Sequence, residues 1–298
     1  MDLAEILYRG YLLFRGRQYW HWRYYGPSYR VTEDGSGYRV SSGKVSCRAE
    51  RLVRGESGAI SIICSGPSVA DIKGESFFRN RPSMVVNGSH SIYRGTDEVF
   101  SYYLVADVGF VRRQWKNFVE GVKKARSLLV DHRVLKEVLE TDPDILGDKK
   151  VVLFDQVKRP FNKPLPTPGH VPEQGLFFNG LQEFSINPDH GFAGVKTVAY
   201  LALQVSIALG YDQIVYYGLD LGGSRRFYEE ESPEKSMIDQ DYEQFIEPHF
   251  AWGADACRTL GVKVVNASPY SRLPASIFPR VEPGSVEEFL NGRIIARD

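Results

Sequence analysis

From Gly58 onward the chain alternates short apolar runs with helical or turn-rich intervals, and this alternation restricts the fold more than any other property of the sequence. Residues 59–64 read as a buried strand. Further strands are predicted at 84–87, 102–106, 127–130 and 151–154, separated by stretches such as the helical 110–125. A strong helix is predicted over 194–209, stopped by Gly210, and strands over 213–217 and 262–266 flank a helical region at 241–260 that restarts at Pro248. Near-continuous apolar strands joined by crossover helices belong to a parallel sheet buried on both faces. The expected class is therefore α/β, a Rossmann-like, mostly parallel sheet with helices on both faces, carried by residues 58–298.

Residues 1–57 differ in character. Ile6, Leu7, Tyr8, Tyr11, Leu12, Leu13, Phe14, Tyr19, Trp20, Trp22, Tyr24 and Tyr25 alternate with Arg9, Arg15, Arg17, Arg23 and Arg30. Such an aromatic-basic segment either lies in the interface of an anionic membrane or packs on the domain as an amphipathic helix with solvated arginines. The polar, Gly/Ser-rich 31–57 reads as a connecting hairpin or loop, and the Pro/Gly-rich 161–190 as a long functional loop. Lys+Arg and Asp+Glu both number 37, so no overall field favours nucleic acid as a partner. The three cysteines have no metal-ligand spacing and fit a reducing compartment, and neither a cleavable signal peptide nor a membrane-length apolar run is evident. These features predict a cytoplasmic protein, peripheral on the inner membrane if the N-terminal segment binds lipid.

In an open parallel sheet, ligands bind beyond the carboxyl ends of the strands. The first core strand runs into Ser65-Gly66-Pro67-Ser68, where glycine permits close backbone approach and proline suits a first helical turn; free N–H groups there suit phosphate or ribose. The next two strands end at Asn87 and Asp107, and Asp107 serves either as a base for a sugar hydroxyl or as a helix cap. After the 213–217 strand, Asp220 precedes Arg225, Arg226 and Tyr228, a set that can hold phosphate without metal. His249, beside Pro248, is the candidate general base, with His90, His170 and His190 as rivals that spacing does not separate.

In order and spacing, five segments resemble the bacterial sialyltransferases of glycosyltransferase family 42 and the related motility accessory factor transferases, which use CMP-activated nonulosonic acids. They are Ile62-Ile63-Cys64-Ser65-Gly66-Pro67-Ser68, Val85-Val86-Asn87, Phe192-Ala193-Gly194 with Val205-Ser206-Ile207-Ala208-Leu209-Gly210-Tyr211, Tyr216-Tyr217-Gly218-Leu219-Asp220, and Ala267-Ser268-Pro269-Tyr270-Ser271-Arg272-Leu273. The likeness covers about residues 58–280. It implies a variant of the GT-A-like fold, a CMP-sugar donor, inversion without a metal or other cofactor, and a glycan or glycolipid acceptor such as lipopolysaccharide or capsule. By the same resemblance His249 is the base, Tyr228 a phosphate-binding tyrosine, and Ser65, Gly66, Asn87, Ala193 and Gly194 touch the nucleotide, with Pro67, Ser68, Asp220, Ser268 and Ser271 in the same motifs. Departures are Ser65 for the family's asparagine, Phe192-Ala193 for its Thr-Ser, and the missing first tyrosine near Gly222. The "GPS" turn is also similar to the archaeal-type 6-hydroxymethylpterin diphosphokinases. That likeness implies pyrophosphate transfer from ATP with Mg²⁺ held by carboxylates such as Asp107 and Asp220. A non-catalytic nucleotide-binding scaffold is the third alternative. Acceptor choice is expected to reside in loops 155–190 and 222–240.

Overall fold

The computed structural model describes residues 3–72, 80–223, 225–228 and 237–293. Its centre is one sheet whose strands are β1 (Tyr29–Asp34), β2 (Gly37–Ser42), β3 (Val45–Arg51), β4 (Ala59–Ile63), β5 (Ser83–Val86), β6 (Phe100–Val105), β7 (Ala125–Asp131), β8 (Lys150–Phe154), β11 (Gln213–Tyr217) and β12 (Lys263–Asn266). The small hairpin β9 (Leu176–Phe178) and β10 (Glu183–Ser185) stands apart from it. Across the sheet the order is β1-β2-β3-β8-β7-β6-β5-β4-β11-β12, and every pairing from β3 to β12 is parallel. The chain leaves β4 in one direction to lay down β5 through β8, then returns to β4's other side for β11 and β12. The β4/β11 boundary is therefore a topological switch point, the crevice where open α/β sheets take ligands.

The expected α/β sheet is present, with a correction at its edge. Residues 31–57 contribute three antiparallel strands, and β3 joins the parallel sheet by pairing Glu50 with Val152 and Arg51 with Leu153. They look loop-like because an edge meander keeps one face in water, leaving only a period-two scatter of Val31, Tyr38, Val40, Val45, Cys47 and Ala49.

Successive strand residues feed opposite layers. Ile60 and Ile62, Met84 and Val86, and Tyr102 and Leu104 enter one core; Ile63, Val85, Tyr103 and Val105 enter the other. The first layer is closed by α5 (Val198–Leu209) and α7 (Glu247–Thr259), the second by α2 (Val108–Arg113), α3 (Trp115–Lys124) and α4 (His132–Thr141), with α8 (Val286–Leu290) at its margin. α1 (Leu3–Arg15) and the short α6 (Ile238–Asp241) complete the helices among the described residues. The helix predicted over 110–125 is broken at Gln114, which takes a non-helical backbone between α2 and α3. α5 is apolar on all sides and buried from Ala199 to Leu209, as a helix enclosed on every side must be. It begins at the Thr197 cap and stops at Gly210 (φ 119°), where a side chain would collide with the Glu56 carbonyl.

One polar side chain organises the interior of this layer. Gln204, fully buried on α5, accepts the N–H groups of Ser185 and Ala193 at 2.9 Å each and donates to the Ala193 and Tyr200 carbonyls. It thereby pins the 192–194 turn and β10 to the helix. Gln204→Leu strands those buried groups without partners and should destabilise the fold by about 2–4 kcal/mol in urea denaturation.

Candidate active site

A cavity of about 660 Å³ opens at the carboxyl ends of the parallel strands, across the switch point. Its floor depends on a close approach of the turns that follow β4 and β11. A Cβ on Gly66 would come within 2.5 Å of both the Gly218 carbonyl and Asp220 Oδ2, and Gly218 itself sits at φ 70°. Only glycine at both positions lets the two turns meet. Asp220, buried, then receives the Ser68 N–H at 2.9 Å and the Ser68 hydroxyl at 2.5 Å. Its carboxylate locks the Ser65–Ser68 turn. Arg226 Nη1 donates to Ser65 Oγ at 3.0 Å, and Phe227 N–H reaches the Ser65 carbonyl, so the 225–228 segment lies across that turn.

Ser65, Gly66, Asn87, Asp107, Gly194, Asp220, Arg225, Arg226 and Tyr228 all line this cavity. Asn87 takes a left-handed conformation (φ 47°), which asparagine tolerates, and its buried Oδ1 has no hydrogen-bond partner among the described residues. An unmet acceptor on a cavity wall is a place for a ligand donor. The Tyr228 ring lies against Gly88, where any side chain would displace it.

Other expected contacts fall behind the wall. Pro67 begins the turn but does not line the cavity, and Ser68 is spent on Asp220. Ser268 accepts the Leu219 N–H at 2.8 Å and Ser271 donates to the Leu219 carbonyl, so these buried hydroxyls brace the 218–220 turn and do not reach the cavity. Ala193 has both backbone polar groups consumed by Gln204 and offers only apolar surface. Asp107 is the N-cap of α2: Oδ1 accepts the Gly109 N–H at 2.8 Å, and Oδ2 stands 3.9 Å from Arg113. β6 and β11 are three strands apart, so the strand ends that lead to Asp107 and Asp220 are separated by roughly 14 Å by strand spacing. Among the described residues no cluster of three His, Cys, Asp or Glu side chains is gathered as a metal site.

A second lobe of about 290 Å³ adjoins the cavity through Lys158 and Gly194, and His249 lies in its wall with Leu165, Pro166, Phe178 and Glu183. His249 stands in the first turn of α7, after a π-helical turn (Tyr242–Ile246) and Pro248, which has no N–H to give. Its Nδ1 is 2.7 Å from the Phe245 carbonyl, which can only accept, so the proton is on Nδ1 and Nε2 keeps its lone pair. Burial, with the charge of Lys158, lowers its pKa below the ordinary histidine value. The rival histidines are elsewhere. His90 is wholly buried against Tyr103, His170 accepts the Phe178 N–H, and His190 faces Glu183; none lines the cavity or the lobe.

Strand-end motifs do not reveal Arg113, Arg133, Lys158, Arg159 and Lys196, which join Arg225 and Arg226 around the cavity. The seven lie on five separate segments, so no local motif collects them. The polar ends of β7 (Asp131-His132-Arg133) and β8 (Asp155-Gln156) were the available signal. Of the acceptor loops, residues 155–190 are described and border the second lobe, whereas Ser224 and 229–236 lie outside the described residues.

No protein-family model matches the chain. It is similar to a probable 3-deoxy-manno-octulosonic acid transferase of Salmonella typhimurium, 25% identical over 231 residues, which is 72% of this chain and 83% of that protein. A protein of the same description from Escherichia coli is 23% identical over 251 residues, 78% of this chain and 86% of that one. Among solved structures, the MAf glycosyltransferase of Magnetospirillum magneticum AMB-1 has a TM-score of 0.46 at 14% identity, over 78% of this chain and 35% of the other. The sialyltransferase CstII of Campylobacter jejuni, in complex with cytidine-5'-monophosphate as a substrate analogue, has a TM-score of 0.41 at 14% identity, over 74% and 83%. Both sequence relatives are probable sugar-acid transferases, in keeping with the resemblance carried by the five sequence segments.

The glycine contact makes a direct prediction. Gly66→Val should leave the far-ultraviolet circular dichroism unchanged while abolishing binding of any nucleotide the cavity takes, measured by calorimetry.

Proposed function

We propose that this chain, a glycosyltransferase by similarity, is an inverting enzyme. It transfers a sialic-like or 3-deoxy-manno-octulosonic-like acid from a CMP-activated donor to a surface glycan such as lipopolysaccharide or capsule. The observation that supports the reading is two unlike spaces that share Lys158 and Gly194 in their walls: a cationic cavity over a glycine turn, and a lobe holding a histidine whose free lone pair is on Nε2. The names of the two sequence relatives support the class of sugar.

In this reading the nucleotide phosphate sits over the Ser65–Gly66 turn, with Arg226 and the Tyr228 hydroxyl at hand, and the acceptor hydroxyl enters from the second lobe. His249 Nε2 takes the acceptor proton as the glycosyl–phosphate bond opens. The acceptor oxygen attacks the face opposite the leaving phosphate, which inverts the anomeric centre. The charge developing on the departing phosphate is met by the cations and backbone N–H groups, so no metal is assigned a step.

Peripheral attachment to the inner membrane belongs to the same proposal. It is supported by α1, which holds Leu7 at 66%, Leu13 at 68% and Phe14 at 92% exposure beside Arg9 and Arg15. No helix among the described residues is long and apolar enough to cross a membrane.

Three outcomes test these statements. His249→Ala should lower kcat by about 10²–10⁴ with CMP affinity unchanged, and near-normal turnover would remove His249 from the mechanism. In the wild type, kcat/KM should hold through neutral pH and fall in acid with a midpoint below about 6.5, because the lowered pKa keeps the base neutral until then. For the membrane, Leu7→Ser/Phe14→Ser should release the protein from anionic vesicles in a sedimentation assay; unchanged sedimentation would count against attachment through α1.

A further inference from the structure

We propose that Arg133 and Arg159 form a second anion subsite, distinct from the phosphate position at the Ser65–Gly66 turn, which takes a carboxylate or phosphate carried by the acceptor. The inference deepens the reading above and rests on it for the word acceptor.

Arg133 is held in place before any ligand arrives. Its Nε and Nη2 lie 3.0 and 2.7 Å from Asp131 Oδ2, and Nη2 also donates to the Ala106 carbonyl at 3.1 Å. Asp131 is fully occupied: Oδ1 caps α4 by accepting the Arg133 and Val134 N–H groups, and Oδ2 also accepts Gln156 Nε2 at 2.8 Å. The Nη1 edge of Arg133 has no protein acceptor among the described residues, and the residue lines the cavity.

Arg159 is placed by different means. Its N–H donates to the Gln156 carbonyl at 2.8 Å, its carbonyl accepts the Tyr25 hydroxyl, and its guanidinium lies 5.1 Å from the Tyr24 ring centroid. It is half-buried, lines the same cavity, and has no carboxylate within ion-pair distance among the described residues. Burial and the neighbouring charge of Arg133 both push its pKa down. The charge of Asp131 offsets this only in part, since the pKa stays lowered, and because a guanidinium does not shed its proton near neutral pH, an incoming anion would relieve the rest.

Position separates this pair from the nucleotide phosphate. The carboxyl ends of β7 and β8 lie three and four strands from β4, roughly 14 and 19 Å by strand spacing, and Arg133 extends to the Ala106 carbonyl at the end of β6, still two strands from β4. Position also ties the pair to the acceptor side. Lys158, next to Arg159, lines both spaces and lies near enough to His249 to help lower its pKa. An acidic group held by Arg133 and Arg159 therefore tethers its molecule beside the base.

The test is calorimetric titration of inorganic phosphate into the full chain saturated with CMP, comparing the wild type with Arg159→Gln and Arg159→Lys. Phosphate should bind the CMP-saturated wild type, bind about tenfold or more weakly to Arg159→Gln, and recover in part with Arg159→Lys, with CMP affinity unaltered throughout. Malonate in a parallel titration reads the carboxylate arm. Equal phosphate affinity in wild type and Arg159→Gln, or complete displacement of phosphate by CMP, overturns the subsite. If CMP does not bind at all, the nucleotide reading fails, but phosphate titrated alone into Arg226→Gln and Arg159→Gln still decides the subsite.

Discussion

The whole site depends on two turns being allowed to touch. β4 and β11 are neighbours in the sheet, and their turns are joined by Asp220 bonding to Ser68 across 152 residues of chain. Glycine at 66 and 218 removes the two side chains that would hold the turns apart, and Asp220 uses the space to fix the Ser65–Ser68 backbone. A buried carboxylate costs free energy unless it is hydrogen-bonded, and here that bonding shapes the floor of the cavity. Ser268 and Ser271 repeat the device one layer deeper by satisfying both backbone groups of Leu219.

Charge is then distributed over this rigid floor in a way the whole-chain balance conceals. Equal numbers of acidic and basic residues give no net field, yet the cavity gathers seven cations, while its acids Asp107 and Asp220 are committed as caps. The N-terminal aromatics serve that arrangement. His21 meets the Pro160 carbonyl at 2.8 Å, Trp22 Nε1 donates to the Lys163 carbonyl at 3.0 Å, and Gln18 receives the Leu165 N–H. Residues 17–25 thus clamp the loop that carries Lys158 and Arg159, and the exposed apolar surface is concentrated in α1. The two readings of the N-terminal segment apply to different parts of it.

Much of the sheet was legible because buried parallel strands are apolar without interruption; the strand predicted at 213–217 is β11 to the residue, and the others differ by a residue or two at their ends. β1 to β3 were legible only as a hairpin or loop and not as an extension of the main sheet, since edge strands exposed on one face carry polar residues at every second place. Among site residues, turns with a local signature were found: Ser65 and Gly66, Asn87, Gly194 and Asp220 reach the cavity. The serines at 68, 268 and 271 share those motifs but hydrogen-bond to the protein itself, a distinction set by which way a buried hydroxyl turns. Arg133 and Arg159 escaped because charge convergence is a property of strand order, and that order is settled by long-range pairing.

The central claim is that the switch-point cavity holds a cytidine nucleotide. Calorimetric binding of CMP, CDP, UDP, GDP and ATP to the purified chain, each with and without Mg²⁺, tests it most directly. The account predicts tightest binding by CMP, unchanged when Mg²⁺ is removed. Binding of ATP that requires Mg²⁺, with CMP silent, would contradict it.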